Sequence, residues 1–352
     1  MIINNLNIGL FNFVKRKIGN SDLYCSSIGF GTWEMSSQYW DIDINDITRA
    51  VHTAIEYGIN LFDTAEVYGP FHSEIILNKA LGVKRKDVII VDKVGFAFDD
   101  EKREISGEFG GVLGRCSEYS HIIKRTEGCL SRLNTEFIDL MLIHWPDFNT
   151  SLDEPMKALE KLKQDGKIRY GGVSNFNIEM MDYCSKYTDI IANQVGYHMF
   201  DQRMDKSIIP YCEEKNIGFM GYGTLGYGLL TNSFNVETVF PDNDWRKWKG
   251  GDCFWLPLFK KEYFERELKV ADKLNELARD FHKTLPQLAI AWALRNKTVS
   301  VSLVGMRNED ELKQNIDASQ WQLEEEVLLK IKRIFEEENC PTFFDYPMAL
   351  ND

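Results

Sequence analysis

The chain has 352 residues and a formal net charge of −13 at pH 7. Its basic stretches, such as Lys15–Lys17, are no longer than three residues, which argues against nucleic acid as its main partner. No run approaches the roughly 20 apolar residues of a membrane helix, and the seven cysteines lack the spacing of a metal site or of a disulfide framework. We therefore expect a cytoplasmic protein with no metal and no membrane contact.

The pattern along the chain predicts one large domain with two short flanking segments. Residues 1–12 read as an N-terminal extension, because asparagines interrupt their apolar residues and no signal-peptide pattern is present. The domain is predicted over residues 13–340. A tail rich in proline and aromatic residues follows at 341–352.

Strand-like and helix-like segments alternate through this domain. Strands are predicted at 27–31, 60–63, 88–93, 138–143, 168–173, 190–195, 218–221 and 299–304. Helices are predicted at 45–57, 73–81, 121–133, 151–164, 177–184, 208–215 and 324–338, with another beginning at 308. Two helix starts, Ser151 with Glu154 and Thr284 with Gln287, have the spacing of a capping box. Eight such units favour parallel strands closed into a (β/α)8 TIM barrel, with an open doubly wound sheet as the alternative.

Two predicted connections are unusually long. They follow the third and seventh strands, at 94–119 and 222–267, and long loops in compact domains are often lids. The second contains Gly221, Gly223 and Gly226 in the order G-x-G-x-x-G. A Rossmann site needs a helix to begin at the third glycine, and the sequence that follows does not have a helical pattern.

Four polar side chains lie at or just beyond the ends of three successive strands. They are Asp63, Tyr68, Lys93 and His144. In a parallel sheet those ends meet at one rim, so a carboxylate, a phenol, an amine and an imidazole come together there. Such groups can move a proton to or from an oxygen on a carbon that undergoes oxidation or reduction. Each of them alone is equally consistent with ordinary packing or solvation.

Several motifs give these residues a family context. They are Gly29-Phe-Gly-Thr-Trp33, Phe62-Asp-Thr-Ala-Glu-Val-Tyr-Gly69, Ile138-Asp-Leu-Met-Leu-Ile-His-Trp-Pro-Asp147 and Gly172-Val-Ser-Asn-Phe176. Together, and in this order, they resemble the aldo-keto reductases. The segment Asp244-Trp-Arg246 is similar to the bacterial branch related to general stress proteins and potassium-channel β subunits.

The resemblance implies an NAD(P)H-dependent reduction of an aldehyde or ketone to an alcohol. Tyr68 would protonate the carbonyl oxygen as hydride arrives from the nicotinamide. Lys93 would lower the pKa of the Tyr68 phenol, Asp63 would pair with Lys93, and His144 would orient the carbonyl. A free phenol titrates near pH 10, so proton transfer at neutral pH requires a nearby cation.

The resemblance also implies positions for the cofactor. Ser174, Asn175 and Gln194 would hold the nicotinamide amide, Tyr222 would stack on its ring, and Thr224 and Leu225 would contact the pyrophosphate. Asn315 would recognise adenine. The remaining cofactor candidates are Thr32, Trp33, Asp63, Gly223, Gly228, Arg246 and Gly305.

The choice between NADPH and NADH depends on two residues near 308. Arg307 is a cation at a predicted helix start, where the helix dipole favours anions, so it suggests a bound 2′-phosphate and a preference for NADPH. Glu311 is either the capping-box partner of Asn308 or a carboxylate that faces the ribose. The second arrangement would oppose the phosphate and permit NADH.

The substrate is expected to be a small, partly apolar carbonyl compound. Trp33, Trp40, Phe96 and Trp145 follow strand ends on the same rim and are the candidate substrate contacts. Core packing is the alternative role for each. Two other functions stay open, a redox-sensing regulatory subunit with slow turnover and a biosynthetic keto-sugar reductase. The sequence leaves the oligomeric state open.

Overall fold

The computed structural model describes residues 13–36, 43–98, 105–106, 113–242, 244–251 and 256–343. The predicted extension at 1–12, the substrate candidate Trp40 and most of the predicted tail at 341–352 lie outside these ranges. No helix in the described part of the chain combines the length and the apolar character that crossing a membrane requires.

The centre of the fold is a closed barrel of eight parallel strands, which confirms the (β/α)8 prediction and excludes the open sheet. In chain order the strands are β1 (Ile28–Gly31), β2 (Leu61–Asp63), β3 (Ile89–Val94), β4 (Ile138–Ile143), β5 (Ile168–Ser174), β6 (Ile190–Gly196), β7 (Gly218–Tyr222) and β8 (Val299–Gly305). Each strand pairs with the next in sequence, and β8 pairs with β1 to close the barrel.

Helices surround the strands and bury one face against them. They are α1 (Ile44–Glu56), α2 (His72–Leu81), α3 (Tyr119–Leu133), α4 (Asp153–Gln164), α5 (Ile178–Cys184), α6 (Arg203–Lys206), α7 (Ile208–Lys215), α8 (Lys261–Asp280), α9 (Leu285–Ala293), α10 (Glu309–Ile316) and α11 (Glu325–Glu337). One large apolar cluster fills the space between the helices and the outer face of the barrel.

Strand alternation determines which side chains enter the barrel. Leu61, Val91 and Leu142 belong to an apolar cluster inside it. Asp63, Lys93 and His144 each come two residues after one of these in the sequence. Because side chains alternate between the two faces of a strand, a polar layer lies directly above an aliphatic one.

The opposite end of the barrel is closed by a hairpin that the sequence did not predict. Lys15–Lys17 pairs antiparallel with Tyr24–Ser26. Ile18, Leu23 and Cys25 of this hairpin belong to the interior apolar cluster. The cavity described below therefore lies at the end of the barrel where the strands have their carboxyl termini.

The two long connections have structure of their own. After β3, the short strands Phe96–Ala97, Ile105–Ser106 and Leu113–Arg115 form an antiparallel sheet. After β7, the glycine motif leads into a 3-10 segment at Gly226–Thr231, so the Rossmann alternative is excluded. The second connection is shorter than predicted, because α8 begins at Lys261.

Only one of the two proposed capping boxes forms. The Thr284 hydroxyl accepts a hydrogen bond from the Gln287 backbone N–H, and the Gln287 side chain accepts one from the Thr284 N–H. At the start of α4 the Ser151 hydroxyl instead donates to the Asp153 carboxylate, and the Glu154 carboxylate accepts from the Tyr119 backbone N–H. Because the Ser151 hydroxyl bonds to the Asp153 carboxylate, the capping box does not form there.

This difference gives a stability test with an internal control. Thr284→Ala should lower the free energy of unfolding by about 1 kcal/mol, because the hydrogen bond from the Gln287 backbone N–H to the Thr284 hydroxyl at the start of α9 is lost. Ser151→Ala should change it by less than about 0.5 kcal/mol, since Ser151 is exposed and caps no helix. Urea unfolding followed by circular dichroism measures both, and equal losses would contradict the assignment.

Candidate active site

A cavity of about 500 Å³ opens at the carboxyl ends of the strands. Asp63, Tyr68 and His144 line it, and Lys93 lies fully buried beneath them. The register accounts for their proximity, since Asp63 pairs with Val91 on β3 and Lys93 pairs with Leu142 on β4. The structure thus brings all four residues of the predicted set together.

The Lys93 ammonium is the centre of this set. It donates hydrogen bonds to Asp63 Oδ2 at 2.7 Å, to the Thr64 carbonyl oxygen at 2.8 Å and to the Tyr68 hydroxyl oxygen at 3.1 Å. An ammonium group has three donors, so every one is used. The side chain is fully buried, and these partners fix its position.

Asp63 links the two sides of the barrel. Its Oδ2 accepts from Lys93, and its Oδ1 accepts from Gln194 Nε2 at 2.7 Å. Burial raises the pKa of the Asp63 carboxyl, and the Lys93 ammonium and the Gln194 amide act in the opposite direction. These hydrogen bonds connect the Asp63 carboxylate on β2 to the Lys93 ammonium on β3 and to the Gln194 amide on β6.

The environment of Tyr68 combines two opposed influences. Lys93 was expected to lower the pKa of the phenol, and its ammonium does bond to the hydroxyl oxygen. Burial nevertheless raises the pKa of Tyr68 well above its ordinary value, and the Asp63, Glu34 and Asp92 carboxylates raise it further. Because the phenol lies in a poorly solvated site with three acidic neighbours, it holds its proton at neutral pH.

His144 lies beside Tyr68 as a neutral imidazole. Burial lowers the pKa of His144 well below its usual value, with further lowering from Lys93 and Arg115. The ring meets Tyr68 edge to face at 6.0 Å between centroids. Its Nδ1 has no hydrogen-bond partner within the described ranges. A neutral imidazole can donate one hydrogen bond to an oxygen in the cavity.

Phe96 is the clearest error among the predicted substrate contacts. It is fully buried, it is absent from the lining of the cavity, and its ring packs edge to face against His144 at 5.2 Å. The short strand after β3 turns the side chain under the imidazole. Phe96 therefore supports His144 from below.

Trp33 and Trp145 do line the cavity, as predicted. Trp33 meets the Tyr68 ring edge to face at 5.0 Å. Sequence reasoning missed Tyr227 and Phe234 as lining residues, and it placed Trp245 only within a loop. Their one visible signal was the abundance of aromatic residues after the seventh strand.

An amide and hydroxyl network lines the wall formed by β5, β6 and β7. The Ser174 hydroxyl donates to the Gln194 carbonyl at 2.8 Å, and Asn175 Nδ2 donates to the His144 carbonyl at 3.2 Å. The Tyr222 hydroxyl donates to Asn175 Oδ1 at 2.9 Å. Asn175 has a left-handed backbone with φ of 63°, which turns its amide toward the cavity wall.

The loop after β7 forms the next part of the wall. Gly223, Thr224, Leu225 and Gly228 line it, and the Thr224 hydroxyl is bonded to the Leu303 carbonyl at 2.9 Å. The side chain of Thr224 therefore faces the barrel. Gly228 has φ of 104°, and a side chain there would overlap the Phe234 ring.

Arg246 reaches this wall from the long loop. Asp244 holds its guanidinium in two hydrogen bonds of 2.9 and 2.6 Å, and the Phe240 ring packs against it at 4.6 Å. The sequence segment Asp244-Trp-Arg246 thus forms a bidentate pair within three residues. Its cation lines the cavity with its direction fixed by Asp244.

The far end of the cavity lies at the start of α10. Arg307 donates from Nε and Nη2 to Glu311 Oε1 at 3.0 and 2.6 Å, and its backbone N–H donates to Glu311 Oε2 at 2.9 Å. Asn308 caps the helix through the Glu311 N–H. The Glu311 carboxylate therefore balances Arg307, and this ion pair accounts for the cation at the helix start without a bound phosphate.

Every residue predicted to contact a cofactor lines this one cavity. They are Thr32, Trp33, Asp63, Ser174, Asn175, Gln194, Tyr222, Gly223, Thr224, Leu225, Gly228, Arg246, Gly305, Arg307, Glu311 and Asn315. Sequence reasoning missed Glu34, which also lines it. The position of Glu34 directly after the Gly29–Trp33 motif was the available signal.

A second polar cluster lies outside the barrel, behind β3. Glu74, Asp92 and Cys129 are buried close enough together to hold a metal ion. Arg132 donates to Glu74 Oε1 at 3.1 Å and to Cys129 Sγ at 3.4 Å, while burial raises the pKa of Asp92 and of Cys129 well above their usual values. Burial thus disfavours the charged forms of Asp92 and Cys129, and Glu74 is already paired with Arg132.

The fold and the site define a (β/α)8-barrel enzyme with its acid–base groups at the carboxyl ends of the strands. A model of the aldo/keto reductase family matches residues 27–336. The protein belongs to the aldo-keto reductase family and is an oxidoreductase. This family uses nicotinamide cofactors and acts on small carbonyl compounds.

Named relatives agree with this assignment. The chain is 31% identical to the aldo-keto reductase YhdN of Bacillus subtilis over 91% of this chain and 92% of that protein. It superposes on the glycerol dehydrogenase AKR11B4 of Gluconobacter oxydans with a TM-score of 0.80 and 34% identity, covering 92% of this chain and 95% of the other. The holo form of the aldo-keto reductase AKR11C1 of Bacillus halodurans gives a TM-score of 0.72 and 26% identity, covering 92% and 96%.

The Lys93–Asp63 pair predicts a strong coupling in stability. Lys93→Met should cost about 3–5 kcal/mol of unfolding free energy, because the buried Asp63 carboxylate loses its cation. Adding Asp63→Asn to Lys93→Met should recover a large part of that loss. The double-mutant cycle is measured by urea unfolding, and strictly additive costs would refute the pairing.

The pH dependence of the Lys93→Met variant gives its control. Without Lys93, the Asp63 pKa in the folded protein should rise further above its unfolded value. Such a carboxyl costs stability above its unfolded pKa, and that cost disappears as the pH falls. The difference from wild type should therefore shrink toward about pH 4 in Lys93→Met, and change less with pH once Asp63→Asn is added.

Proposed function

We propose that this enzyme reduces an aldehyde or ketone to an alcohol, with NADPH as the preferred cofactor and Tyr68 as the proton donor. The observation that supports the proposal is the contact of 3.1 Å between the Lys93 ammonium and the Tyr68 hydroxyl oxygen, made where that hydroxyl borders the cavity. A protonated phenol beside a buried cation is suited to give up a proton and remain as a stabilised phenolate.

The cavity fits a nicotinamide dinucleotide in its polar groups. Asn315 is buried at its far end, and its Oδ1 has no hydrogen-bond partner in the described part of the chain, which leaves it for a base. Arg246 and Arg307 supply cations, and the amides of Asn175 and Gln194 lie at the other end. A bound dihydronicotinamide supplies a hydride to the carbonyl carbon.

Side chains of the protein then act on the carbonyl oxygen of the substrate. Tyr68 gives its proton to the carbonyl oxygen as negative charge develops there, and the O–H bond of the alcohol forms while that of the phenol breaks. The Lys93 ammonium stabilises the resulting phenolate through the hydrogen bond already present. Neutral His144 donates a hydrogen bond to the same oxygen and fixes its direction. Asp63 and Thr64 hold Lys93 in place.

The aromatic wall favours a small carbonyl compound with an apolar part. Trp33, Trp145 and Trp245 surround the mouth of the cavity near Tyr68. The likeness to a glycerol dehydrogenase makes short hydroxyaldehydes and hydroxyketones a second group to test. A panel of apolar aldehydes, ketones, keto-sugars and three-carbon hydroxycarbonyls covers both, with NADPH oxidation as the readout.

Tyr68→Phe tests the proton donor. Carbonyl reduction should fall by roughly 10²–10⁴-fold, since that is the usual contribution of a positioned acid, while the dissociation constant for NADPH stays nearly unchanged. Tyr170→Phe is the matched control. Its hydroxyl donates to Asp22 in the turn of the hairpin that closes the opposite end of the barrel, so its turnover should equal that of the wild type. Normal turnover in Tyr68→Phe would refute the mechanism.

Cofactor preference is tested at the Arg307–Glu311 pair. The Arg307 side chain is 52% exposed and lines the cavity, so it can meet a 2′-phosphate once Glu311 releases it. The wild type should show a higher kcat/KM with NADPH than with NADH. Glu311→Gln should raise that ratio by roughly fivefold, the effect of about 1 kcal/mol for a partly exposed charge pair. Equal kcat/KM values in the wild type would contradict the preference.

A further inference from the structure

Glu34 is an acidic residue in a cavity that must accept an anionic ligand. It belongs to the 3-10 turn Trp33–Ser36 that directly follows β1. Its carboxylate lies against Gly305 at the end of β8, and any side chain at Gly305 would overlap it. The proton transfer described above makes no use of Glu34. Its position on the lining therefore needs a separate explanation.

The carboxylate is poorly compensated. Glu34 Oε2 is buried and has no hydrogen-bond partner within the described ranges. The nearest cation, Arg307, is already paired with Glu311. Burial and, less strongly, Glu311 raise the pKa of Glu34 to about 7, while a backbone hydrogen bond at Glu34 itself and the Arg307 cation act in the opposite direction. The carboxyl is therefore close to half protonated at neutral pH, unlike an ordinary surface glutamate.

We propose that Glu34 takes up a proton from solvent when a phosphate of the dinucleotide binds beside it. The proposal rests on the proposed function, because it requires a dinucleotide in this cavity. A phosphate brings negative charge toward a carboxylate whose Oε2 has no hydrogen-bond partner in the described part of the chain, which favours the neutral carboxylic acid. The acid can then donate a hydrogen bond to a phosphate oxygen, where the carboxylate could only repel it.

The sign of the pH dependence follows from this linkage. Binding raises the pKa of Glu34 above its value in the free protein, so affinity is highest when the group is already protonated. Affinity should fall as the pH rises above about 7, by up to about tenfold per pH unit until the pKa of the bound state is passed. The ionisable groups that act on Glu34 or respond to it are Arg307 just before α10, Glu311 on α10 and Tyr68 after β2.

Two phosphates could be the partner, and the two cofactors distinguish them. The pyrophosphate is present in both NADH and NADPH, whereas the 2′-phosphate is present in NADPH alone. Proton uptake with both cofactors would assign Glu34 to the pyrophosphate. Uptake with NADPH alone would assign it to the 2′-phosphate and make Glu34 a determinant of cofactor choice. Either result supports the proposal.

Isothermal titration calorimetry measures the uptake directly. NADH and NADPH are titrated into the protein at about pH 7.5 in buffers of different ionisation enthalpy, which gives the number of protons taken up per dinucleotide. The 2′-phosphate itself titrates near this pH, so the informative quantity is the difference between wild type and Glu34→Gln. We expect the wild type to take up more, by at most about three quarters of a proton, because about a quarter of the Glu34 carboxyls are already protonated at this pH.

Affinity provides the second readout. Glu34→Gln keeps the shape of the side chain and removes its charge, so it should bind the dinucleotide roughly tenfold more tightly at about pH 8 and lose most of the pH dependence. Glu309→Gln is the matched control. It neutralises a carboxylate two residues after Arg307, at the start of α10, but Glu309 bonds to Thr53 and does not line the cavity. Its proton uptake should equal that of the wild type.

The outcomes separate this inference from the proposed function. Equal proton uptake by wild type and Glu34→Gln with both cofactors would overturn the role of Glu34 while leaving carbonyl reduction intact. A wild-type dissociation constant that stays constant between about pH 6 and 9 would overturn it without any variant. Failure of the wild type to bind either dinucleotide at any pH would instead refute the proposed function.

Discussion

One buried ammonium group, that of Lys93, connects the polar residues at the carboxyl ends of the barrel strands. Lys93 brings a full positive charge into the interior, and such a charge is tolerated only when it is paired and hydrogen-bonded. Asp63, the Thr64 carbonyl and the Tyr68 hydroxyl take its three donors. Strand β2 and the loop that follows it are thereby fixed against β3, which holds the phenol in one place. The hydrogen bond between the Lys93 ammonium and the Tyr68 hydroxyl therefore helps to satisfy the buried charge and also holds the phenol in position.

The same cation influences groups that it does not touch. Together with burial and Arg115, it lowers the pKa of His144, so the imidazole is neutral and can donate to an oxygen without adding a second positive charge. Through Asp63 it is connected to Gln194 on β6, whose backbone carbonyl accepts the Ser174 hydroxyl. The acid–base end and the amide end of the cavity are therefore one hydrogen-bonded structure.

The sequence predicted the barrel and the four central residues because both follow from strand alternation and from motifs that lie on strands. Phe96 was misplaced because a two-residue strand in the following loop, which has no sequence pattern of its own, turns it under His144. A strand-end pattern reveals the cation beside the Tyr68 phenol but not the burial and the three carboxylates that raise its pKa. The position of Glu34 depends on Gly305, which is distant in sequence. The capping box at Ser151 does not form because the neighbouring Asp153 carboxylate accepts the Ser151 hydroxyl. Spacing alone reveals neither interaction.

The residues that line the cavity come from two kinds of segment, the barrel strands and the long connection after β7. Asp63 and Lys93 lie on strands whose register is fixed by both neighbours, whereas Tyr227, Phe234 and Trp245 come from the long connection after β7. A one-residue insertion in a barrel strand would reverse the faces of every side chain beyond it and remove the acid–base set. An insertion in the connection would reshape its aromatic residues and the part of the wall that includes Gly228 and Arg246, and would leave Asp63 and Lys93 in place. Changes in one loop can therefore alter the shape of the cavity while the groups at the strand ends are inherited unchanged.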